Sequence, residues 1–178
     1  PEEIKNALNS VLPDEIFIKE AEFVDENFHS RYSARRKTYL YLIHNRKTPF
    51  LKNKSFYFKG NLDINKMKEA AKYFIGRKDF SSFKAAGSSV KNPVREIFKL
   101  TINEENFYID PDVKILKIEI EGDGFLYKMA RNIVGTLIEV GRGKIEPEEV
   151  EKIIEKKDRK FAPPTAPACG LYFKEVKY

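Results

Sequence analysis

In the stretch FHSRYSARRKTYLY, Phe28 to Tyr41, the cations Arg31, Arg35, Arg36 and Lys37 alternate with the rings of Phe28, Tyr32, Tyr39 and Tyr41. Cations neutralise phosphates and rings give unstacked bases a surface to lie on, so the pattern suits single-stranded or looped RNA. The competing reading makes the tyrosines core residues and the cations a solvated strand end. It is preferred for Tyr41, and Tyr39 stands between the two. A second basic turn, DFSSFKAAGSSVKNPVR from Asp79 to Arg95, brackets Gly87, Ser88 and Ser89 with Lys84 and Lys91. Exposed amides and hydroxyls beside lysines can grip phosphate oxygens, although an ordinary surface loop has the same composition. Asp79, followed by Phe80, reads more readily as the cap of the turn that positions this loop than as a catalytic carboxylate.

Two further stretches concern positioning. In KMARNIVGTL, Lys128 to Leu137, an amphipathic helix carries an arginine and a glycine on the wrong side. At about 3.6 residues per turn, Leu126, Met129, Ala130, Ile133, Val134, Leu137 and Val140 form one apolar stripe, and Arg131 and Gly135 lie a turn apart away from its centre. Glycine inside a helix costs about 0.5–1 kcal/mol relative to alanine, so another backbone, a subunit or a substrate is expected to come close here. A solvated arginine beside a packing glycine is the alternative. In DRKFAPPTAPACGLYF, Asp158 to Phe173, prolines stiffen a loop and Gly170 lets the chain turn tightly into the last strand. Such a loop loses little entropy when it holds a ligand; rigidity for stability alone would look the same.

The elements that must hold these stretches can be read from periodicity. A helix is predicted over Glu2–Ser10, a strand through Ile16, Ile18, Ala21 and Phe23, and a central strand over Thr38–Ile43, apolar on both faces. Ser55–Lys59 reads as a short strand, and Asp63 caps a helix running to about Ile75 and stopped by Gly76. Strands pass through Phe98, Leu100 and Ile102 and through Leu116, Ile118 and Ile120, before Gly122–Gly124 turns the chain into the arginine helix. Glu148–Lys157 follows Pro147 as a helix, and Leu171–Tyr178 closes the chain as a strand. The expected class is α+β, a mostly antiparallel sheet with helices packed on one face.

With 178 residues, 42% of them hydrophobic, the chain can bury a core of its own, and a single domain over 1–178 is expected. Thirty-three Lys+Arg against 27 Asp+Glu leave a net charge of +6, which favours an anionic partner without naming one. Cys169 is alone, so an internal disulfide is impossible; with only His29 and His44 beside it, no metal-ligand spacing exists. No metal is expected, and a reducing, cytoplasmic setting is. No apolar run approaches the roughly 18 residues a membrane helix needs. A start at Pro1 inside an element suggests a piece of a longer protein.

Four blocks in order, FHSRYSARRKTYLY, DFSSF, FLYKMARNIVGTLIEVGRG and APACGLYFKEVKY, resemble the tRNA pseudouridine synthase A family over essentially the whole chain. The resemblance implies a partial pseudouridine synthase fold. It also implies isomerisation of uridines on the 3′ side of the tRNA anticodon stem-loop to pseudouridine, with no cofactor or metal. The glycosidic bond breaks, the uracil rotates and is rejoined through C5, and the target base must first leave its stack. The family's aspartate sits in an Arg-Thr-Asp-Ala-Gly-Val-His run that this chain lacks. In family order that run precedes Pro1, so the nucleophilic aspartate is expected from an N-terminal region outside the chain, and the isolated chain is expected to be inactive.

By the same resemblance Arg131 corresponds to the arginine that pairs with the catalytic carboxylate, which a nearby cation would keep ionised. Tyr39 corresponds to the tyrosine that stacks on the flipped uracil, and Leu171 closes the pocket's apolar wall. Phe28, His29, Ser30, Arg31 and Tyr32, with Arg35, match a tRNA-contacting stretch, as do Gly87, Ser88, Ser89, Val90 and Lys91, and Lys47 is placed at the phosphate backbone. A homodimer in which each tRNA touches both subunits is implied as well. A non-catalytic RNA-binding module is the competing function.

Overall fold

In the computed structural model the apolar run Arg36–His44 is an interior strand, β1, with neighbours along both of its edges. The structure describes residues 1–87 and 90–178. They form two compact units, 1–33 and 34–178. The first unit holds α1 (Glu2–Val11). In the second, β1 is followed by β2 (Phe56–Tyr57), α2 (Ile64–Lys72), β3 (Gly76–Asp79), β4 (Val94–Phe107), β5 (Asp110–Gly122), α3 (Met129–Gly141), α4 (Glu149–Glu155) and β6 (Leu171–Lys177).

The sheet order is β2-β1-β5-β4-β3. Along one side of β1 lies β5, antiparallel from Lys37↔Gly122 to His44↔Ile115. Its other side is shared, with β6 antiparallel along Arg36–Tyr41 and β2 parallel at Ile43 and His44. All pairings but the last are antiparallel. Alternation then separates the faces: Tyr41, Ile43, Leu116, Ile118 and Ile120 join Met67, Ile133 and Leu137 of the helices, and Phe74 just after α2, in one buried cluster. The opposite face is charged, with Lys174–Glu119 at 2.7 Å and Arg36–Glu121 at 2.8 Å. Such exposed pairs add little stability. They keep that face wet, which leaves the helices on the other, as the α+β reading expects.

Two expectations need correction. Residues 16–23 form no strand. Ile16, Phe17 and Phe23 are 53%, 72% and 87% exposed, and a strand without a partner leaves its backbone groups unpaired. Asn9 substitutes at one point, its amide accepting from Ile18 N at 2.8 Å and donating to Ile18 O at 2.9 Å. The second concerns α2, which Asp63 caps by accepting from Lys66 N at 3.0 Å. It ends at Lys72 rather than Ile75, and Gly76 opens β3, a strand that the charged sequence Gly76–Asp79 does not announce by alternation.

Candidate active site

Helix α3 runs through the middle of the second unit, with Met129, Ile133, Val134, Leu137 and Val140 buried on its apolar stripe. The face carrying Arg131 and Gly135 is covered too. A Cβ on Gly135 would overlap the Pro164 carbonyl oxygen and approach Ala166 N to 3.2 Å. The backbone expected near this glycine is therefore the chain's own proline-rich loop, seated where only a hydrogen atom fits. Gly170 serves a similar close approach: its Cβ would lie 2.7 Å from Leu42 O and from the ring of Tyr41.

This loop meets Arg131 twice. Arg131 Nε donates to Ala166 O at 2.7 Å, and Ala166 N donates to Arg131 O at 3.1 Å. Arg131 forms no ion pair among the described residues. One of the guanidinium's five N–H donors is thus spent on fixing its plane, which leaves the others for an acceptor from elsewhere. Tyr41 anchors the same loop from β1, its hydroxyl donating to Pro167 O at 2.7 Å. The Tyr41 ring is 1% exposed, in keeping with its reading as core. Its phenol is pushed far up in pKa by burial and by the charge of Cys169, against a smaller opposing effect of Arg131.

Tyr39, Phe125, Lys128, Arg131 and Leu171 line one cleft of about 60 Å³. The ring of Tyr39 is wedged edge-on between Phe125, 4.9 Å away at 81°, and Phe173, 5.3 Å away at 61°. Its phenol is half buried and its pKa raised by desolvation, so it stays protonated near neutrality. Lys128, at the lip, adopts φ 59, a left-handed conformation that costs an L-residue roughly 1–2 kcal/mol. Three residues singled out in the sequence, Tyr39, Arg131 and Leu171, thus share this recess. The recess is small and open on one side; what it brings together is a cation with one donor fixed, a protonated phenol and apolar walls, and such a cation keeps a carboxylate within its reach ionised.

The other candidates lie elsewhere. In the first unit His29 shapes the 28–33 turn: Nδ1 accepts from Arg31 N at 3.1 Å and Tyr32 N at 3.4 Å, and Ser33 Oγ accepts from His29 N at 3.0 Å. The turn presents Arg31 and Tyr32 outward, the latter 77% exposed, with Ser30 and His29 exposed beside them. Phe28 is half buried. In the second unit Arg35 is exposed, its backbone N–H donating to Lys177 O at 2.8 Å. Arg36 is spent on Glu121 and on the Phe98 ring, 4.5 Å away. Lys47 stands 6.0 Å from the Tyr57 ring in a different, roomier cleft of about 730 Å³ beside Cys169. Gly87 and Lys91 are exposed and Val90 is half buried; Ser88 and Ser89 lie outside the described residues. Ala85 N donates to Tyr127 O at 3.1 Å, tying the base of this loop to the residues that lead into α3.

Asp79 accepts from Ser81 N at 2.9 Å and Ser81 Oγ at 2.7 Å, with Lys157 Nζ at 3.6 Å. Burial raises its pKa, but those two bonds and the lysine outweigh it and hold the carboxyl below its ordinary value. It is the turn's cap, as its neighbours suggested. Residues that the sequence reading missed include Phe125 and Phe173, which clamp Tyr39, and a buried amide, Asn132. Phe125 stands inside the FLYKMARN block and Phe173 inside the closing one, but only pairing of β1 with β6 brings the second ring to Tyr39.

Residues 70–178 match the family model described as tRNA pseudouridine synthase. The chain is 49% identical over 174 residues to tRNA pseudouridine synthase A of Acetivibrio thermocellus, covering 97% of this chain and 68% of that relative. It is 48% identical over 179 residues to the protein of that name in Thermoanaerobacter pseudethanolicus, covering 99% and 70%. For the Bacillus subtilis protein of that name the identity is 44% over 174 residues, covering 97% and 68%.

Proposed function

The chain belongs to the tRNA pseudouridine synthase A family, and from that premise we propose that its cleft is the uridine-binding half of an isomerase site acting on the anticodon stem-loop of tRNA. The observation that carries this reading is the arginine with one donor tied down, no ion pair among the described residues, and a place in the same recess as Tyr39 and Leu171. Arg131 pairs with the reacting aspartate and keeps it ionised. Tyr39 offers its ring to the extruded uracil, and Leu171 closes the apolar side. No metal or redox group enters this proposed mechanism: the charge that develops is met by the guanidinium and the aspartate.

The aspartate itself comes, in this reading, from the Arg-Thr-Asp-Ala-Gly-Val-His run of the family, which is absent from these 178 residues. Phe28–Tyr32, Arg35, Lys47 and Gly87–Lys91 supply phosphate and stacking contacts; the exposure of Arg31, Tyr32, Arg35, Lys47 and Lys91 supports this. The active species is a homodimer working in the cytoplasm, where its tRNA substrate resides. No helix among the described residues is long and apolar enough to cross a membrane.

The test is pseudouridine formation on an unmodified tRNA transcript. The full-length protein should convert anticodon-arm uridines, its Arg131→Ala variant should bind tRNA yet turn over poorly, and residues 1–178 alone should convert none. Turnover by residues 1–178 would overturn the assignment of the aspartate to another segment. RNA binding without conversion by the full-length protein would favour a non-catalytic module instead.

A further inference from the structure

Beneath the cleft lies a polar junction that no exposed feature reveals. Asn132, the residue after Arg131, is fully buried. Its Nδ2 donates to Phe83 O at 2.7 Å, at the end of the turn that Asp79 caps. Its Oδ1 accepts from Thr165 Oγ1 at 2.6 Å and from Arg159 Nη2 at 3.4 Å. Arg159 closes the ring, Nη2 donating to Thr165 Oγ1 at 3.2 Å and Nη1 to Ala162 O at 2.6 Å. Every polar atom of the Asn132 side chain is engaged, and among the described residues no buried side-chain nitrogen or oxygen lacks a partner.

We propose that Asn132, Thr165 and Arg159 are positioning residues for Arg131, acting through the loop that carries Ala166; this rests on the reading of Arg131 given above. Arg131 and Asn132 are successive on α3, and the residues they hold, Ala166 and Thr165, are successive in the loop. Two adjacent pairs of anchors fix both the place and the twist of a peptide, where one would leave it free to pivot. The Ala166 carbonyl is the acceptor that sets the guanidinium plane. Its own position is set by Thr165 held on Asn132, by Arg159 bridging both, and by the absence of a side chain at Gly135. Asn132 is fully buried while Thr165 and Arg159 are half buried, so the network closes on a buried amide whose every polar atom is engaged, and losing a partner of that amide is costly. Stability alone could have been served by apolar contacts there; an oriented guanidinium could not.

The experiment uses the full-length protein and substitutes Thr165→Val, which keeps shape and removes the hydroxyl, with Thr165→Ser restoring it. Exchange of the Arg131 Nε–H with solvent, followed by nitrogen-15 NMR, reads the geometry, and kcat and KM on tRNA read its consequence. Thr165→Val should speed that exchange at least tenfold and lower kcat at least tenfold with KM changed less than twofold, and Thr165→Ser should recover both. Unchanged exchange in Thr165→Val overturns the proposal, as does faster exchange with unaltered kcat. Should Thr165→Val fail to fold, Arg159→Lys gives the same readings, since an ammonium cannot reach Ala162 O and Thr165 Oγ1 together in the geometry of a fork. Retained turnover in Arg131→Ala would instead sink the reading of the arginine, while the exchange rate still decides whether the network orients it.

Discussion

Arg131 and Ala166 hold each other reciprocally: the arginine Nε donates to the alanine carbonyl at 2.7 Å, and the alanine amide donates to the arginine carbonyl at 3.1 Å. A single loop residue thereby finds a helix carbonyl for its own amide and orients the side chain that springs from the same helix residue. The guanidinium is held at Nε before any ligand arrives, so less entropy is lost when it meets a carboxylate than for a free side chain.

Gly135→Ala tests the seat of that loop. Alanine improves helix propensity by about 0.8–1 kcal/mol, but its methyl group would overlap the Pro164 carbonyl, a backbone atom with no room to rotate away. Overpacking of this kind costs about 1–3 kcal/mol or more. A net loss of stability is expected in urea unfolding, together with lower turnover; a more stable variant would mean the loop is not held there.

Arg131→Lys keeps the charge and loses the fork. Lysine cannot donate to Ala166 O and present paired N–H groups to a carboxylate at once. Turnover should fall by about 10²-fold or more, of the order seen when one preorganised charge-stabilising donor is removed, with tRNA affinity nearly unchanged. Equal losses in both quantities would make the arginine an RNA contact.

Tyr39 separates into ring and hydroxyl. The ring is held by Phe125 and Phe173, so Tyr39→Phe should change stability by no more than about 0.5 kcal/mol, and any fall in turnover belongs to the hydroxyl. Tyr39→Leu removes the stacking face and should nearly abolish conversion. Wild-type rates in the leucine variant would return the residue to a purely structural role.

Arg31, Lys47 and Lys91 are exposed cations on separate connecting segments. If they meet phosphates, each change to alanine should weaken binding of any tRNA and reduce the salt dependence of affinity by about one counterion, leaving kcat on bound tRNA intact. An unchanged salt slope would remove the residue from the interface.

His44 gives a pH dependence. It is 4% exposed and its Nδ1 lies 2.6 Å from Ser55 Oγ; burial holds the imidazole below its ordinary value. The unfolded chain therefore takes up the proton first, so the contribution to stability is full above about pH 6.5 and declines as pH falls from there through the lower folded value. Unfolding free energy should drop over that window in the parent and stay flatter in His44→Asn. Identical slopes would place the titration elsewhere.

Much of the arrangement was legible along the chain because its signals are local. Alternation with two apolar faces marked β1, the Asp63 cap marked the start of α2, and Asp79 followed by Phe80 marked a capped turn. The blocks around Tyr39, Arg131 and Leu171 pointed to one family. Where local signals compete with tertiary ones the reading failed: Ile16–Phe23 alternates like a strand but has no partner, and β3 has a partner but no alternation.

The chain's chemistry was thus written in residue types: which side could carry charge, which rings could stack, and that a glycine in a helix asks for a close neighbour. Its geometry was not. That the neighbour is Pro164, that Phe173 reaches Tyr39 from the last strand, and that Asn132 binds Thr165 and Phe83 together are contacts between residues dozens of positions apart. Their energies depend on distance and direction in space, which periodicity along a chain does not encode; only the folded sheet and the loop laid over α3 decide them.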